Sequence, residues 1–368
     1  MFLKKLSLVN FKNYGQVDIQ LSPKLNCFVG NNGVGKTNLL DAIYYLSFCK
    51  SFINAADSQN IKYSENFFLI QGDYEIENET DNIFCGFKKG AKKQFKRNKK
   101  EYAKLSEHIG LLPLVIVSPN DNQLILSGSE ERRKFIDGVI SQYDKEYLNF
   151  LISYNHALLQ RNAILKDIGR KGLLNRDVLD IWNQQLIRFG KPIYKKRKEF
   201  ITNLIPVFQE FYDFIAFSNE KVALLYSSAL DNEPFEDILK KSEEKDFILQ
   251  YTSAGIHRDD LDFFIGEHSL KKTASQGQQK TYLVALKFAQ FEFIKKTYGY
   301  KPLLLLDDIF DKLDQLRMKQ ILKLVADHKF GQIFITDTGK RIEQIIENVA
   351  DEYKLFNVKD ESIFEFYT

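Results

Sequence analysis

Gly30-Asn31-Asn32-Gly33-Val34-Gly35-Lys36-Thr37 is the stretch on which the reading of this chain turns. It fits the pattern GxxxxGK[ST], and its surroundings agree. The apolar run Leu25 to Val29 reads as a buried strand before it, and Leu39, Leu40, Ile43, Tyr44 and Leu46 recur at helical spacing after it. Glycines let consecutive backbone N–H groups turn toward phosphates, and a helix N-terminus favours negative charge. Gly30, Asn31, Asn32, Gly33, Val34, Gly35, Lys36, Thr37 and Asn38 are therefore candidate nucleotide contacts. Lys36 would neutralise the β- and γ-phosphates and the Thr37 hydroxyl would ligate magnesium, so ATP and Mg2+ are the implied cofactors.

A phosphate loop needs a carboxylate from a second buried strand, and Leu303-Leu304-Leu305-Leu306-Asp307-Asp308 supplies one. Asp307 would complete the magnesium shell with Thr37. Asp308 would polarise the attacking water as general base, which makes Asp308 and Lys36 the catalytic candidates. A plainer reading has both acids capping the following helix. The 266 positions (303 − 37) between Thr37 and Leu303 exceed what a compact phosphotransferase needs. Something large is inserted between the two motifs.

Composition bounds the rest. The chain has 368 residues, enough for about two domains and a substantial core. Its 44% hydrophobic and 27% charged residues are ordinary globular values. With 52 basic and 49 acidic residues the net charge is +3, so any basic surface must come from local clustering. Cys27, Cys49 and Cys85 show no CxxC spacing and read as reduced thiols. With neither an apolar leader nor a membrane-length run, a cytoplasmic chain with no membrane partner is expected.

Short strand patterns fill residues 1–120, interrupted by the helix after the phosphate loop. From Glu130 to about Pro206 the periodicity is helical, with Phe135, Ile136, Val139, Ile140, Tyr143, Tyr147, Leu151, Tyr154 and Leu158, then Trp182, Leu186, Phe189 and Ile193, forming stripes suited to helix packing. Strands return near Val222, with Asp262 to Ile265 ending at Gly266. Helix and strand then alternate through Thr281–Lys296, Leu303–Leu306, Asp314–Ala326 and Ile333–Thr336, as in a parallel doubly wound sheet. The expected division is residues 1–120 and 241–368 for a nucleotide-binding head and 121–240 for an inserted, mainly helical domain.

Ser275-Gln276-Gly277-Gln278-Gln279 precedes the helix that leads into the Leu303 strand. Alone it reads as a helix start. In this order it resembles the signature of ABC-type ATPases, in which the serine and glycine reach the γ-phosphate held by a second subunit. Further stretches resemble the bacterial RecF family of recombination and gap-repair ATPases. Asn10-Phe11-Lys12-Asn13-Tyr14 is similar to NFRNY. Ser118-Pro119-Asn120-Asp121, Gly128-Ser129 and Arg132-Arg133-Lys134-Phe135-Ile136-Asp137 are similar to SPxD…GSPxxRRxFLD, and Gly255-Ile256-His257-Arg258-Asp259-Asp260-Leu261 to GPHRDDL. The likeness runs from residue 10 to about residue 337. The chain departs from the pattern at Ile256 and Glu130, where the family has proline, and Asp311-Lys312-Leu313-Asp314 matches SELD only in part.

The resemblance implies an α/β ABC-type P-loop ATPase head of mixed sheets and helices, related to SMC heads, with an inserted helical domain. It adds Lys12, Ser275, Gly277, Gln278 and Asp314 to the nucleotide contacts, the last four across an ATP-dependent homodimer. It implies slow, DNA-stimulated hydrolysis, ATP-held clamping of double-stranded DNA including gapped or junction DNA, and release on hydrolysis. Loading of recombinase with RecR and RecO-type mediators, in gap repair and replication-fork maintenance, belongs to the same expectation. Thr336 and Asp337 stand where a switch histidine would be, and either could sense the γ-phosphate. His257 reads more naturally as a turn residue than as a catalyst. A P-loop phosphotransferase, or another SMC-like ABC ATPase, is the alternative.

Lys88 to Lys100 contains no acid, and Lys92, Lys93, Lys96, Arg97, Lys99 and Lys100 are the candidate DNA contacts. The same run also suits a solvated hairpin face. Lys195-Lys196-Arg197-Lys198 forms a second cluster, which reads either as another basic patch or as an exposed helix face.

Overall fold

The computed structural model describes residues 1–171, 176–217, 220–311, 313–326, 330–339, 352–359 and 362–366. They belong to two compact units, one from 1–121, 214–217 and 276–368, the other from 122–213 and 218–275.

The first unit contains two six-stranded sheets. One runs in the order Ser362–Phe366, Tyr353–Lys359, Leu25–Val29, Ile333–Asp337, Leu303–Asp307, Leu114–Val117, and only its outermost pair is antiparallel. Every residue of Leu25–Val29, Leu303–Asp307 and Ile333–Asp337 is buried, which is why these strands read as unbroken apolar runs. The other sheet is an antiparallel series of Tyr14–Gln20, Phe2–Phe11, Phe67–Ile76, Glu79–Lys88, Gln94–Arg97 and Lys100–Glu101. The helix Lys36–Phe48 shares one apolar core with both sheets, through Leu39, Leu40, Ile43 and Leu46. Buried Gln332 adds a polar tie: its side chain accepts from the Leu3 N–H at 2.7 Å and donates to the carbonyls of Leu3 and Ser22, each at 2.8 Å. No helix among the described residues is long and apolar enough to cross a membrane.

The second unit is built on the helices Ser129–Tyr143, Lys145–Lys171, Arg176–Ala216 and Phe235–Leu249, with an antiparallel sheet of His268–Ser269, Asp260–Ile265 and Val222–Ser227. Most of the aromatic and aliphatic stripe is core: Ile136, Val139, Tyr147, Tyr154, Leu186 and Ile193 are essentially inaccessible. The helical block extends past Pro206 to Ala216. The helix Phe235–Leu249 lies where only strands were expected, although its signal was present: Pro234 at the cap, Glu236 and Asp237 in the first turn, and Phe235, Ile238 and Leu239 at helical spacing.

The expected boundary at residue 241 moves to 276. The strand Asp260–Ile265 pairs with Val222–Ser227, and acids just before and at its start are held by arginines of the helices. Arg197 donates to both Asp137 oxygens at 2.9 Å, to the Ile256 carbonyl at 2.9 Å and to Asp259 at 3.3 Å. The second basic cluster is thereby accounted for in large part. Arg197 is buried, Lys196 pairs with Asp144 and Glu146, and Lys198 pairs with Asp231. His257 belongs to the same packing, bonded to the Tyr154 hydroxyl at 2.8 Å and the Thr252 carbonyl at 3.0 Å. Burial lowers its pKa to about 4, so it is a neutral turn residue at pH 7.

Removing one member of a buried ion network leaves charge uncompensated, at a cost of roughly 3–5 kcal/mol. Arg197→Ala is expected to destabilise the second unit by about that amount, read by urea unfolding followed through Trp182, the single tryptophan. A loss below about 1 kcal/mol, the range of an exposed pair, would contradict the network's role.

Candidate nucleotide-binding site

The phosphate loop leaves the strand Leu25–Val29 and enters the helix Lys36–Phe48 with Gly30 at φ 156°, Gly33 at 84° and Gly35 at 110°. At two positions only hydrogen fits: a Cβ on Gly30 would lie 2.3 Å from the Val358 carbonyl oxygen, and one on Gly35 would lie 2.4 Å from Asn13 Nδ2. The loop is braced from the first strand pair. Asn13 Nδ2 donates to the Val34 carbonyl at 3.0 Å, Asn13 Oδ1 accepts from Asn38 Nδ2 at 2.7 Å, and the Tyr14 hydroxyl donates to the Gly35 carbonyl at 3.0 Å. Asn13 and Tyr14 were not singled out as site residues, although they lie in the quoted Asn10–Tyr14 stretch.

Lys36 Nζ folds back over the loop and donates to the carbonyls of Gly30 at 2.8 Å and Asn31 at 2.9 Å. The helix begins with no side-chain cap and no acid in its first turn, so its N–H groups and Lys36 together favour an anion. Lys12 departs from expectation. Its ammonium is buried against Asp41, a fully buried carboxylate that needs a counter-charge, and the pair is internal to the fold. Burial lowers the Lys12 pKa, opposed by Asp41.

Three adjacent parallel strands bring the acids to this loop. Asp307 lies opposite Thr336 in the sheet, and Asp337 opposite Val29. Both Asp307 oxygens accept from Thr37 Oγ1, at 2.9 and 3.0 Å, and Asp307 Oδ1 also accepts from Thr336 Oγ1 at 2.7 Å. Thr336 Oγ1 in turn accepts from the Asp308 N–H at 3.0 Å. Asp308 has φ 46°, a left-handed conformation costly for a residue with a Cβ and one that recurs at functional sites. Burial raises the pKa of both acids. At Asp307 the Thr336 and Thr37 hydrogen bonds oppose the rise; at Asp308 the Lys36 charge opposes it and Asp337 and Asp311 add to it. The donor set fits a nucleotide with its cation: glycine backbone that side chains would fill, a lysine over the loop, and a hydroxyl sharing a carboxylate that desolvation leaves short of positive charge.

The other expected residues are more dispersed. Ser275 is exposed immediately before the helix Gln276–Tyr298, with Gly277 and Gln278 in that helix's first turn. Asp314 is also exposed and accepts from the Arg317 N–H at 2.9 Å, capping the helix Gln315–Ala326. Of the six DNA candidates, Lys93 is committed within the fold, whereas Arg97 keeps an exposed side chain in its ion pair. Lys93 pairs with Asp57 at 2.9 Å and donates to the Cys49 carbonyl at 2.7 Å, and Arg97 is salt-bridged to Asp81. The candidate set contracts to Lys92, Lys96, Arg97, Lys99 and Lys100, of which Lys96 lies over the Phe84 ring at 5.6 Å and the others are exposed.

Comparison with known proteins places the fold in one class. The family described as RecF/RecN/SMC N terminal domain matches residues 2–362, and the chain belongs to it. Within that class the relatives are specific. "DNA replication and repair protein RecF" of Phocaeicola vulgatus is 52% identical over 99% of this chain and 98% of its own length, and that of Flavobacterium johnsoniae is 50% identical over 97% and 100%. This chain is a member of the RecF family. A solved structure described as the recombination mediator protein RecF-ATP in the RecFOR pathway is 31% identical, with a TM-score of 0.90 over 100% of this chain and 98% of that one. A Pyrococcus furiosus Smc head domain, at 17% identity, 99% and 96% coverage and a TM-score of 0.59, shares the fold.

The raised pKa values fix a direction with pH. Only the ionised carboxyls can hold a cation or accept a proton, and acid removes that form earlier than from an unperturbed aspartate of about 3.9. Magnesium-dependent nucleotide binding should weaken on acidification beginning above that value, under conditions where the far-ultraviolet spectrum is unchanged, and Asp307→Asn should flatten the dependence. An acid limb at or below the ordinary aspartate range would contradict the burial of this pair.

Proposed function

We propose that the chain is an ATP-driven switch on DNA, acting in recombinational gap repair and replication-fork maintenance. The observation that carries the reading is the convergence of Thr37 and Thr336 on Asp307 beside the strained Asp308, at the mouth of the phosphate loop. Magnesium-bound ATP, when present, supplies the γ-phosphoryl group whose transfer to water drives the switch. The chain's own residues do the rest. The Gly35–Asn38 backbone and Lys36 bind and neutralise phosphate oxygens, Thr37 and Asp307 hold the cation, and Asp308 accepts the proton of the attacking water. Thr336 holds Asp307 and the Asp308 backbone in place and is the better γ-phosphate sensor. Asp337, a carboxylate that accepts from the Gly339 N–H at 2.8 Å, would repel the phosphate.

The exposed Ser275 and Asp314, with the half-buried Gly277 and Gln278, are suited to complete the site of a second copy, making hydrolysis dimer-dependent and slow. Lys92, Lys96, Arg97, Lys99 and Lys100 offer phosphate contacts without sequence readout, so binding should be salt-sensitive. Double-stranded DNA with a gap or junction is the proposed substrate surface. DNA stimulation of turnover and RecR and RecO-type partners belong to the same proposal, supported by the family and by the RecFOR pathway named for its structural relative.

Release of a fluorescent gapped duplex tests the switch. Lys36→Arg should blunt the ATP response of DNA binding. Asp308→Asn should bind ATP and hold DNA while releasing it on the order of 100-fold more slowly, the scale of a lost general base. Release by Asp308→Asn at the rate of the unaltered chain would remove Asp308 from that role.

A further inference from the structure

The helix that begins at the signature carries two lysines in a setting that disfavours lysine. From Thr281 to Phe291 the helix Gln276–Tyr298 is buried on all sides, yet Lys280 and Lys287 are only 9% and 7% exposed. Seven residues apart, they lie two turns apart on one side of the helix, separated by about 10 Å along its axis. Lys287 Nζ sits 2.8 Å from Asp121 Oδ1, and the other oxygen of that carboxylate accepts from the Ser118 N–H at 2.7 Å.

Asp121 closes the turn Ser118–Asp121 at the end of the strand Leu114–Val117. Because Val117 pairs with Leu306, the turn emerges beside Asp307 and Asp308. Lys280, nearer the signature, is in the field of Asp121, Asp311, Asp307 and Asp308, all of which favour its charge against burial. One turn of chain therefore touches the helix through Lys287 and adjoins the catalytic strand through its sheet register.

We propose that Asp121, with Lys287, is a positioning link that sets the signature helix against the phosphate site of its own chain. The start of the helix, Ser275 to Gln278, is thereby presented to a second copy in one fixed register. Lys287 supplies the anchor, since a helix sliding along its axis breaks a directed ion pair in a largely dry setting. The link rests on the composite-site reading above, and it gives the Ser118–Asp121 stretch a role distinct from nucleotide contact.

Sedimentation velocity with ATP and magnesium, together with titration of a fluorescent ATP analogue into the monomer, separates the possibilities. Lys287→Met and Asp121→Asn should leave monomer nucleotide affinity within about 2-fold while weakening the ATP-dependent dimer about 10-fold or more, the usual size of a coupling between sites. Lys287→Arg should retain the dimer, and the exchange Asp121→Lys with Lys287→Asp should recover part of it. Ser275→Arg is the control. If it dimerises like the unaltered chain, the composite-site reading itself fails. If it abolishes the dimer while Lys287→Met does not weaken it, the positioning link is wrong. Loss of nucleotide affinity together with the dimer in Lys287→Met, without rescue by Lys287→Arg, would reduce the pair to a support of the fold and overturn the link.

Discussion

Asp307 is the residue around which the nucleotide site is organised. A carboxylate at the end of a fully buried strand is costly unless its oxygens are bonded. They are bonded by Thr37 from the helix after the phosphate loop and by Thr336 from the neighbouring strand. These two hydroxyls fix the ends of three segments relative to one another, and Thr336 extends the tie to the Asp308 backbone. The strained backbone at Asp308 is tolerated because the Asp307 carboxylate before it and its own N–H are both held by Thr336. The same geometry leaves the pair of acids short of positive charge, the condition that the proposed metal-bound phosphate would relieve.

Much of this was legible from the sequence because local chemistry dictates it. Leu25 to Val29 and Leu303 to Leu306 could be nothing other than central parallel strands, and the glycines of the loop are demanded by positive φ and by close approach. The chemistry of the two motifs pairs Thr37 with Asp307, and their hydrogen bonds follow that pairing. Thr336, by contrast, was visible only as a residue in the place of a histidine. Its two bonds depend on strand register, which no local pattern reports. Asn13 and Tyr14 escaped for a related reason: the carbonyls they bind are 21 residues away in sequence.

Charge was the least legible property. Lys93, Arg197, Lys196 and Lys198 read as runs of free cations, yet their carboxylates come from segments far along the chain, such as Asp57 for Lys93 and Asp137 for Arg197. Lys12 was misread for the same reason, since Asp41 lies inside the first helix as an unremarkable acid until burial gives it a claim on a cation. The domain boundary moved because a strand expected with the head pairs inside the helical unit and is anchored by arginines. A run of like charge in sequence locates lysines and arginines. Only their distant partners decide which of them already carry a counter-charge.

The central claim is that each chain carries half of two ATP sites. Its most direct test is the mass in solution by light scattering, with and without ATP and magnesium, for the unaltered chain and for Ser275→Arg. The account predicts an ATP-dependent dimer that the substitution abolishes while the phosphate loop still binds nucleotide. A chain that stays monomeric with ATP and magnesium, in the presence of gapped duplex DNA as well as in its absence, would contradict it.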